Sequence, residues 1–268
     1  MSIELDRRLA AGAAVAREAG RLARRYFERR ADLTVELKGP QDLVSVADRA
    51  VEELIRARLA ALFPEDAVIG EEAGGLAASR VWVVDPIDGT QNFLRGLPWF
   101  CVVLALMVEG RTELGIIYDP NTDELYTARR GGGAFLNGEP IRVSGCSELS
   151  RAVVGVGHSP RHPPQRFLEP FTRVIEAGAQ TRNLLTAALQ LAHVACGRLD
   201  ATWDPHLLPW DVLAGILLVE EAGGAAAPYR LRPDFSGGAP LLAGTAPLVK
   251  ALRPCVVAPD SGIPSAKG

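Results

Sequence analysis

Acidic side chains able to collect a divalent cation recur at four separated points of this 268-residue chain. The densest is the stretch 81–93, Val-Trp-Val-Val-Asp-Pro-Ile-Asp-Gly-Thr-Gln-Asn-Phe. Its β-branched and aromatic opening reads as a buried strand, and Pro86, which cannot donate to a ladder, is expected to end it. Asp85 and Asp88 flank that break and Gly89 and Thr90 follow at once. Carboxylates collect hard cations such as Mg²⁺, and N–H groups at a helix start collect phosphate oxygens. One short segment could therefore supply both halves of a metal-phosphate site. The other acids are Glu71-Glu72 at the end of a short strand from Val68, Asp48 near a helix start, and Asp211 in the first turn after Pro209. Each has a plain alternative: a solvated loop for the Glu pair, and a helix-start acid on the dipole for Asp48 and Asp211.

These acids need elements to hold them. Residues 6–30 form a helix with Leu9, Ala13, Ala16, Gly20, Ala23 and Phe27 on one face and arginines opposite. A short strand is expected over 34–40, closed by Gly39-Pro40. Ser45 and Asp48 have capping spacing, and the helix behind them carries Val51, Leu54, Ile55, Leu59 and Leu62 as its buried stripe and stops at Pro64. Runs 99–109 and 112–118 form a hairpin about Gly110, and 124–128 and 133–137 extend the antiparallel set to the Asn137-Gly138 turn. Asp119, Asn121 and Asp123 imitate a calcium loop, but Glu124 and Arg130 stand where glycine and glutamate are needed, so a turn is expected. The second half begins near Ser150, with strands at 152–156, 198–203 and 240–244, helices at 167–177, 184–197, 210–224 and 247–252, and a loose tail at 260–268.

Composition narrows the function. Net charge is −3, with 48% apolar and 23% charged residues, so nothing favours nucleic acid or anionic membrane. No secretory signal or membrane-length apolar run is expected. Four scattered cysteines lack Cys-x-x-Cys spacing and four histidines share no ligand spacing, so reduced thiols in the cytoplasm and structural histidines are expected. No Walker loop, Gly-x-Ser-x-Gly elbow or Gly-x-Gly-x-x-Gly occurs.

Taken together, Asp42-Leu-Val-Ser-Val-Ala-Asp48, Gly70-Glu-Glu72, Asp85-Pro-Ile-Asp-Gly-Thr90 and Trp210-Asp211 with the Glu-Ala-Gly-Gly after it resemble the inositol monophosphatase family. The haloacid-dehalogenase phosphatases carry a related Asp-x-Asp-Gly-Thr, but here Pro86 and Ile87 separate the acids and the nucleophile geometry does not transfer. The resemblance implies an α+β fold, the layered α-β-α-β-α sandwich shared with fructose-1,6-bisphosphatase. It implies a single unit over 1–268 with approximate halves 1–149 and 150–268 and the site between them. It also implies a cytoplasmic, lithium-sensitive homodimer.

Residue by residue, it implies two or three Mg²⁺ ions. One would take Glu71, Asp85 and the carbonyl of Ile87; a second Asp85, Asp88 and Asp211; a third would lean on Glu71. Thr90 with Asp48 would position or deprotonate a water, alongside Glu71, and Glu72 would support these ligands from behind. Asp88, Gly89, Thr90, Thr186, Ala187 and Asp204 would face the substrate, inositol monophosphate first. Two departures weaken that choice: Leu185 stands where glycine is usual, and Asp204 where inositol-hydrolysing members carry glutamate. Histidinol phosphate or a sugar phosphate such as fructose 1,6-bisphosphate is the alternative within the family. A regulatory protein acting on RNA or a transcription complex is the alternative of another class.

Overall fold

Each of the two large sheets in this chain has two apolar faces, and both must be covered; five layers result. The structure, a computed structural model, describes residues 2–30, 35–39, 42–158 and 162–256. The expected tail at 260–268 lies outside the described residues, as do Thr34 and Pro40 at the ends of the first expected strand. In chain order the elements are α1 (Ser2–Glu28), β1 (Val35–Gly39), β2 (Asp42–Ser45), α2 (Val46–Leu62), β3 (Ala67–Gly70), β4 (Arg80–Asp88), α3 (Thr90–Arg95), β5 (Cys101–Val108), β6 (Arg111–Asp119), β7 (Glu124–Arg129), β8 (Gly133–Leu136) and β9 (Glu139–Pro140). The second half adds β10 (Val153–Val156), α4 (Gln165–Glu176), β11 (Gln180–Arg182), α5 (Ala187–Ala195), β12 (Ala201–Leu207), α6 (Pro209–Glu221), β13 (Ala225–Ala226), β14 (Ala239–Gly244) and α7 (Ala246–Val256).

Strands β3 to β9 form one sheet in sequential order, antiparallel except for β3 beside β4. Successive side chains of a strand face opposite ways, and on β4 Trp82 and Val84 pack with α1 and α2, whereas Val81 and Val83 pack with α5 and α6. The second sheet, ordered β11-β10-β12-β14-β13, covers the far side of α5 and α6. Its outer face, with Val154, Val156, Trp203 and Leu242, is closed by α4 and α7 through Val174, Leu248 and Leu252. The α-β-α-β-α sandwich expected from the sequence is the fold observed.

Contacts between layers are close. A Cβ on Gly115 of β6 would lie 2.6 Å from the carbonyl oxygen of Ala214, so α6 rests directly on the sheet backbone. Local departures from expectation have physical causes. Strand β4 does not stop at Pro86. Its parallel partner β3 ends opposite Val84, so the missing N–H of Pro86 deprives no ladder, and a bulge sets Asp85 against Val103 and Asp88 against Cys101. Leu62 is exposed at the end of α2, and the helix expected from 184 begins at Ala187. Strands β11 and β13 were too short to carry a pattern.

On α1 one arginine leaves its polar face. Arg8 is buried, donates to Asp66 Oδ2 at 2.8 Å and Oδ1 at 3.1 Å, and lies 4.5 Å from the Phe63 ring centroid. Trp82 Nε1 donates to the same carboxylate at 3.1 Å. Removing Arg8 leaves the buried Asp66 to the partly exposed Arg80, 3.3 Å away, and the Trp82 N–H, which compensate its charge less well. Arg8→Ala should therefore cost about 3 kcal/mol, seen as a lower urea midpoint with an unchanged m-value; a loss below about 0.5 kcal/mol, typical of a surface change, would contradict it.

Candidate metal-phosphate site

The bulge in β4 puts Asp85 and Asp88 at the sheet's edge facing α5 and α6. Three segments supply the acids, and main-chain groups anchor each of them. Asp85 Oδ1 accepts the N–H of Ile87 at 2.9 Å. Asp88 Oδ2 accepts the Thr186 hydroxyl at 2.5 Å and the Ala188 N–H at 2.7 Å, which ties the first half to the start of α5. Asp211 Oδ2 accepts the N–H of Leu208, where α6 begins, at 2.8 Å. Glu71 follows β3 directly, its N–H bonded to Val84 O at 3.2 Å.

Electrostatics place these acids around one space. Burial first, then Glu71, Asp88 and Asp211, push Asp85 well above the usual carboxylate range. Burial, Glu71, Asp88 and Asp204 do the same to Asp211. Burial raises Asp88 as well, opposed by the Thr186 hydroxyl and the N–H groups of Ala187 and Ala188. The largest influences on these three acids include no positively charged side chain. Among the described residues no three acidic, histidine or cysteine side chains close to coordination distance about one point; the acids feel one another without forming a finished cage. An all-oxygen donor set of mutually repelling, buried carboxylates fits a hard cation such as Mg²⁺.

Beside the acids, Gly89 caps α3 in the left-handed region (φ 98°) and Thr90 opens it. Thr90 Oγ1 lies 3.0 Å from Ile87 O and 3.3 Å from Asp48 Oδ1. Asp48 also accepts the Ser45 N–H and hydroxyl at 2.8 and 2.7 Å through Oδ2. The cap and the link to Thr90 therefore coexist in one carboxylate. Burial raises Asp48, opposed by Ser45. Glu72 is half-buried and lines a surface groove with Arg49 and Ala57, on the α2 side of its loop.

On the second half's side, Asp204 is turned inward. Its Oδ1 accepts the His206 N–H at 2.9 Å, and its Oδ2 fills the space that a Cβ on Gly157 would need. Burial pushes it up to about 7. Thr186 and Ala187 begin α5 beside Asp88. His162 and His206 meet edge to face, 4.6 Å between centroids, and His158 packs on Phe167.

Sequence reasoning missed Asn92. Buried in α3, its Nδ2 donates to Trp99 O at 2.8 Å and Leu184 O at 2.7 Å, fastening the loop before Thr186 to the first half. Thr90, Gln91 and Arg95 are polar as well, so nothing in this six-residue run marks Asn92 as the buried one. That loop holds Leu185 at φ 54° with half its surface exposed. A branched side chain there is strained. Leu185→Gly should raise stability by about 0.5–1 kcal/mol, the relief exceeding glycine's extra unfolded entropy; a urea midpoint below wild type would contradict it.

The model of the inositol monophosphatase family matches residues 4–252. An inositol-1-monophosphatase from Mesorhizobium japonicum is 41% identical over 92% of this chain and 94% of its own length. The Nus factor SuhB of Pseudomonas aeruginosa is 40% identical over 88% and 91%. The crystal structure of extragenic suppressor protein suhB from Bartonella henselae superposes with a TM-score of 0.85 at 36% identity, covering 95% of this chain and 98% of that one.

Proposed function

Since this chain belongs to the inositol monophosphatase family, whose members are metal-dependent phosphomonoesterases, we propose that it is a Mg²⁺-dependent phosphatase of a small phosphorylated polyol, inositol monophosphate first. The observation that carries this reading is the elevation of Asp85 and Asp211, by burial and then by Glu71 and Asp88, acids brought together from three separated segments, with no positively charged side chain among the largest influences on them.

In this reading Glu71, Asp85 and the Ile87 carbonyl would hold one ion, Asp85, Asp88 and Asp211 a second, and Glu71 would contribute to a third. Bound there, the ions would lower the pKa of a water and neutralise the phosphate oxygens. The protein's own groups do the rest. Thr90, its hydroxyl shared between Ile87 O and Asp48, can accept a proton from the attacking water while passing its own to Asp48. The N–H groups of Gly89 and Thr90 hold the phosphate at the mouth of α3. Glu72 supports the loop of Glu71. Thr186 and Ala187, beside Asp88, and Asp204 border the polyol. The catalytic unit spans 1–268, with halves 1–149 and 150–268 meeting at these residues. Lithium sensitivity, a homodimer and cytoplasmic residence are proposed on family resemblance; among the described residues no helix is long and apolar enough to cross a membrane.

Phosphate release should be measured across inositol 1-phosphate, histidinol phosphate, fructose 1,6-bisphosphate and adenosine 3′,5′-bisphosphate, with Mg²⁺ and with or without Li⁺. Fastest release from inositol 1-phosphate, inhibited by Li⁺, is expected; no release from any ester would overturn the proposal. Histidinol phosphate or a sugar phosphate is the second reading, favoured by Asp204, whose two oxygens serve His206 and the Gly157 wall rather than pointing outward. A nucleic-acid-linked regulatory role finds less support, because net charge is −3 and two of the α1 arginines face acids, Arg17 with Asp123 and Arg24 with Glu28.

A further inference from the structure

Glu52 of α2 is 1% exposed, and no step above uses it. A buried carboxylate persists only where its oxygens find donors. Those of Glu52 serve one loop. Oε2 accepts the Glu72 N–H at 2.8 Å, and Oε1 accepts the Ala73 N–H at 3.1 Å and Arg56 Nε at 2.7 Å. Arg56 carries the grip onward, donating to Val68 O at 3.2 Å and to Gly74 O. The loop is also closed on itself, since Gly70 and Gly74 exchange N–H to carbonyl bonds of 3.0 Å in both directions. A Cβ on Gly70 would stand 2.3 Å from the Glu52 carboxyl carbon, so the glycine ahead of the two glutamates is what admits the carboxylate.

Inside the loop sits Glu71, which feels Asp85 and Asp211 as like charges. Repulsion among carboxylates would swing an unheld loop outward. We infer that Glu52, backed by Arg56, is the positioning residue for Glu71, fixing the backbone of 70–74 so that the Glu71 carboxylate meets the other acids before any cation arrives. This role rests on the proposed use of Glu71 as a metal ligand. Groups that orient metal ligands typically change affinity 10–100-fold when altered, and Glu52 acts on its ligand entirely through main-chain N–H groups.

The test compares wild type, Glu52→Gln and the surface control Glu28→Gln by calorimetric titration with Mg²⁺, no ester present, and by amide hydrogen exchange. The glutamine keeps the shape, loses the charge paired with Arg56, and can accept through only one of its two terminal atoms. Expected are faster exchange at Glu72 and Ala73 and Mg²⁺ binding about 10–100-fold weaker, with kcat close to wild type once Mg²⁺ saturates; Glu28→Gln should match wild type. Faster exchange with unchanged Mg²⁺ affinity would reduce Glu52 to a structural residue and overturn the inference, as would unchanged exchange. Should Glu52→Gln fail to fold, Arg56→Lys, which keeps the charge and loses the fork, should weaken Mg²⁺ binding several-fold, and unchanged affinity there overturns the inference too. Because binding is read without ester, a wild-type protein that binds Mg²⁺ yet releases no phosphate counts against the proposed function alone.

Discussion

Asp88→Asn should lower Mg²⁺-dependent phosphate release on the order of 10³-fold, about 4 kcal/mol of barrier, while leaving the fold intact. The carboxamide oxygen can still accept the Thr186 hydroxyl and the Ala188 N–H, so the tie between halves survives. What disappears is a negative charge that raises both Asp85 and Asp211. Metal-free protein should consequently gain about 1 kcal/mol, one pK unit of relieved repulsion. Activity and stability thus move in opposite directions, which a misfolded variant cannot imitate. Phosphate release and urea denaturation in chelator measure the two; full activity, or a large stability loss, would defeat the assignment of Asp88.

Metal-free protein should also lose stability as pH rises, the reverse of ordinary acid denaturation. Asp204 is raised from 3.8 to about 7 by burial, and burial raises Asp85, Asp88 and Asp211 as well. An acid whose folded pKa exceeds its unfolded value binds more protons in the native state between the two values, so stability falls as pH climbs through that window. For Asp204 the window runs from roughly 4 to 7 and corresponds to about 4 kcal/mol. The three cluster acids add in the same direction. The lowered carboxylates, Glu18 beside Arg58 and Asp123 beside the Tyr118 hydroxyl and Arg17, oppose the trend below pH 4 but are exposed and contribute little. Saturating Mg²⁺ should flatten the slope, since ligand bound to the native state adds RT ln(1 + [L]/Kd). Urea denaturation at pH 5 and 7.5, with Mg²⁺ or chelator, decides it: metal-free stability that rises over this interval would contradict the electrostatics, and Asp204→Asn should make the slope shallower.

The acid motifs were legible because each is short and chemically unusual: two aspartates around a proline, two glutamates after a strand, an aspartate three residues into a helix. The bland and the functional reading of Asp48 turned out not to compete. One oxygen caps α2 and the other faces Thr90. Asp211 likewise spends one oxygen on the start of α6. Periodicity found the long helices and hairpins. It misjudged Pro86, because whether a strand survives a proline depends on its neighbour's length, a non-local fact. It placed Arg8 on a polar face because the partner that buries it, Asp66, is remote in sequence. Asn92, Glu52 and Arg56 stayed hidden for the same reason: they act on backbone atoms of distant loops, and backbone atoms leave no trace in a pattern of side chains.

Gly115, lacking any side chain, sets a dimension. With α6 laid against β6 at the carbonyl of Ala214, the gauge between the first sheet and the central helices is the thickness of bare main chain. Asp85 belongs to the sheet and Asp211 to the helix, so in the proposed site the separation of these two carboxylates is set at the interlayer seam. A single methyl group at that seam would arrive at the acids as a shim.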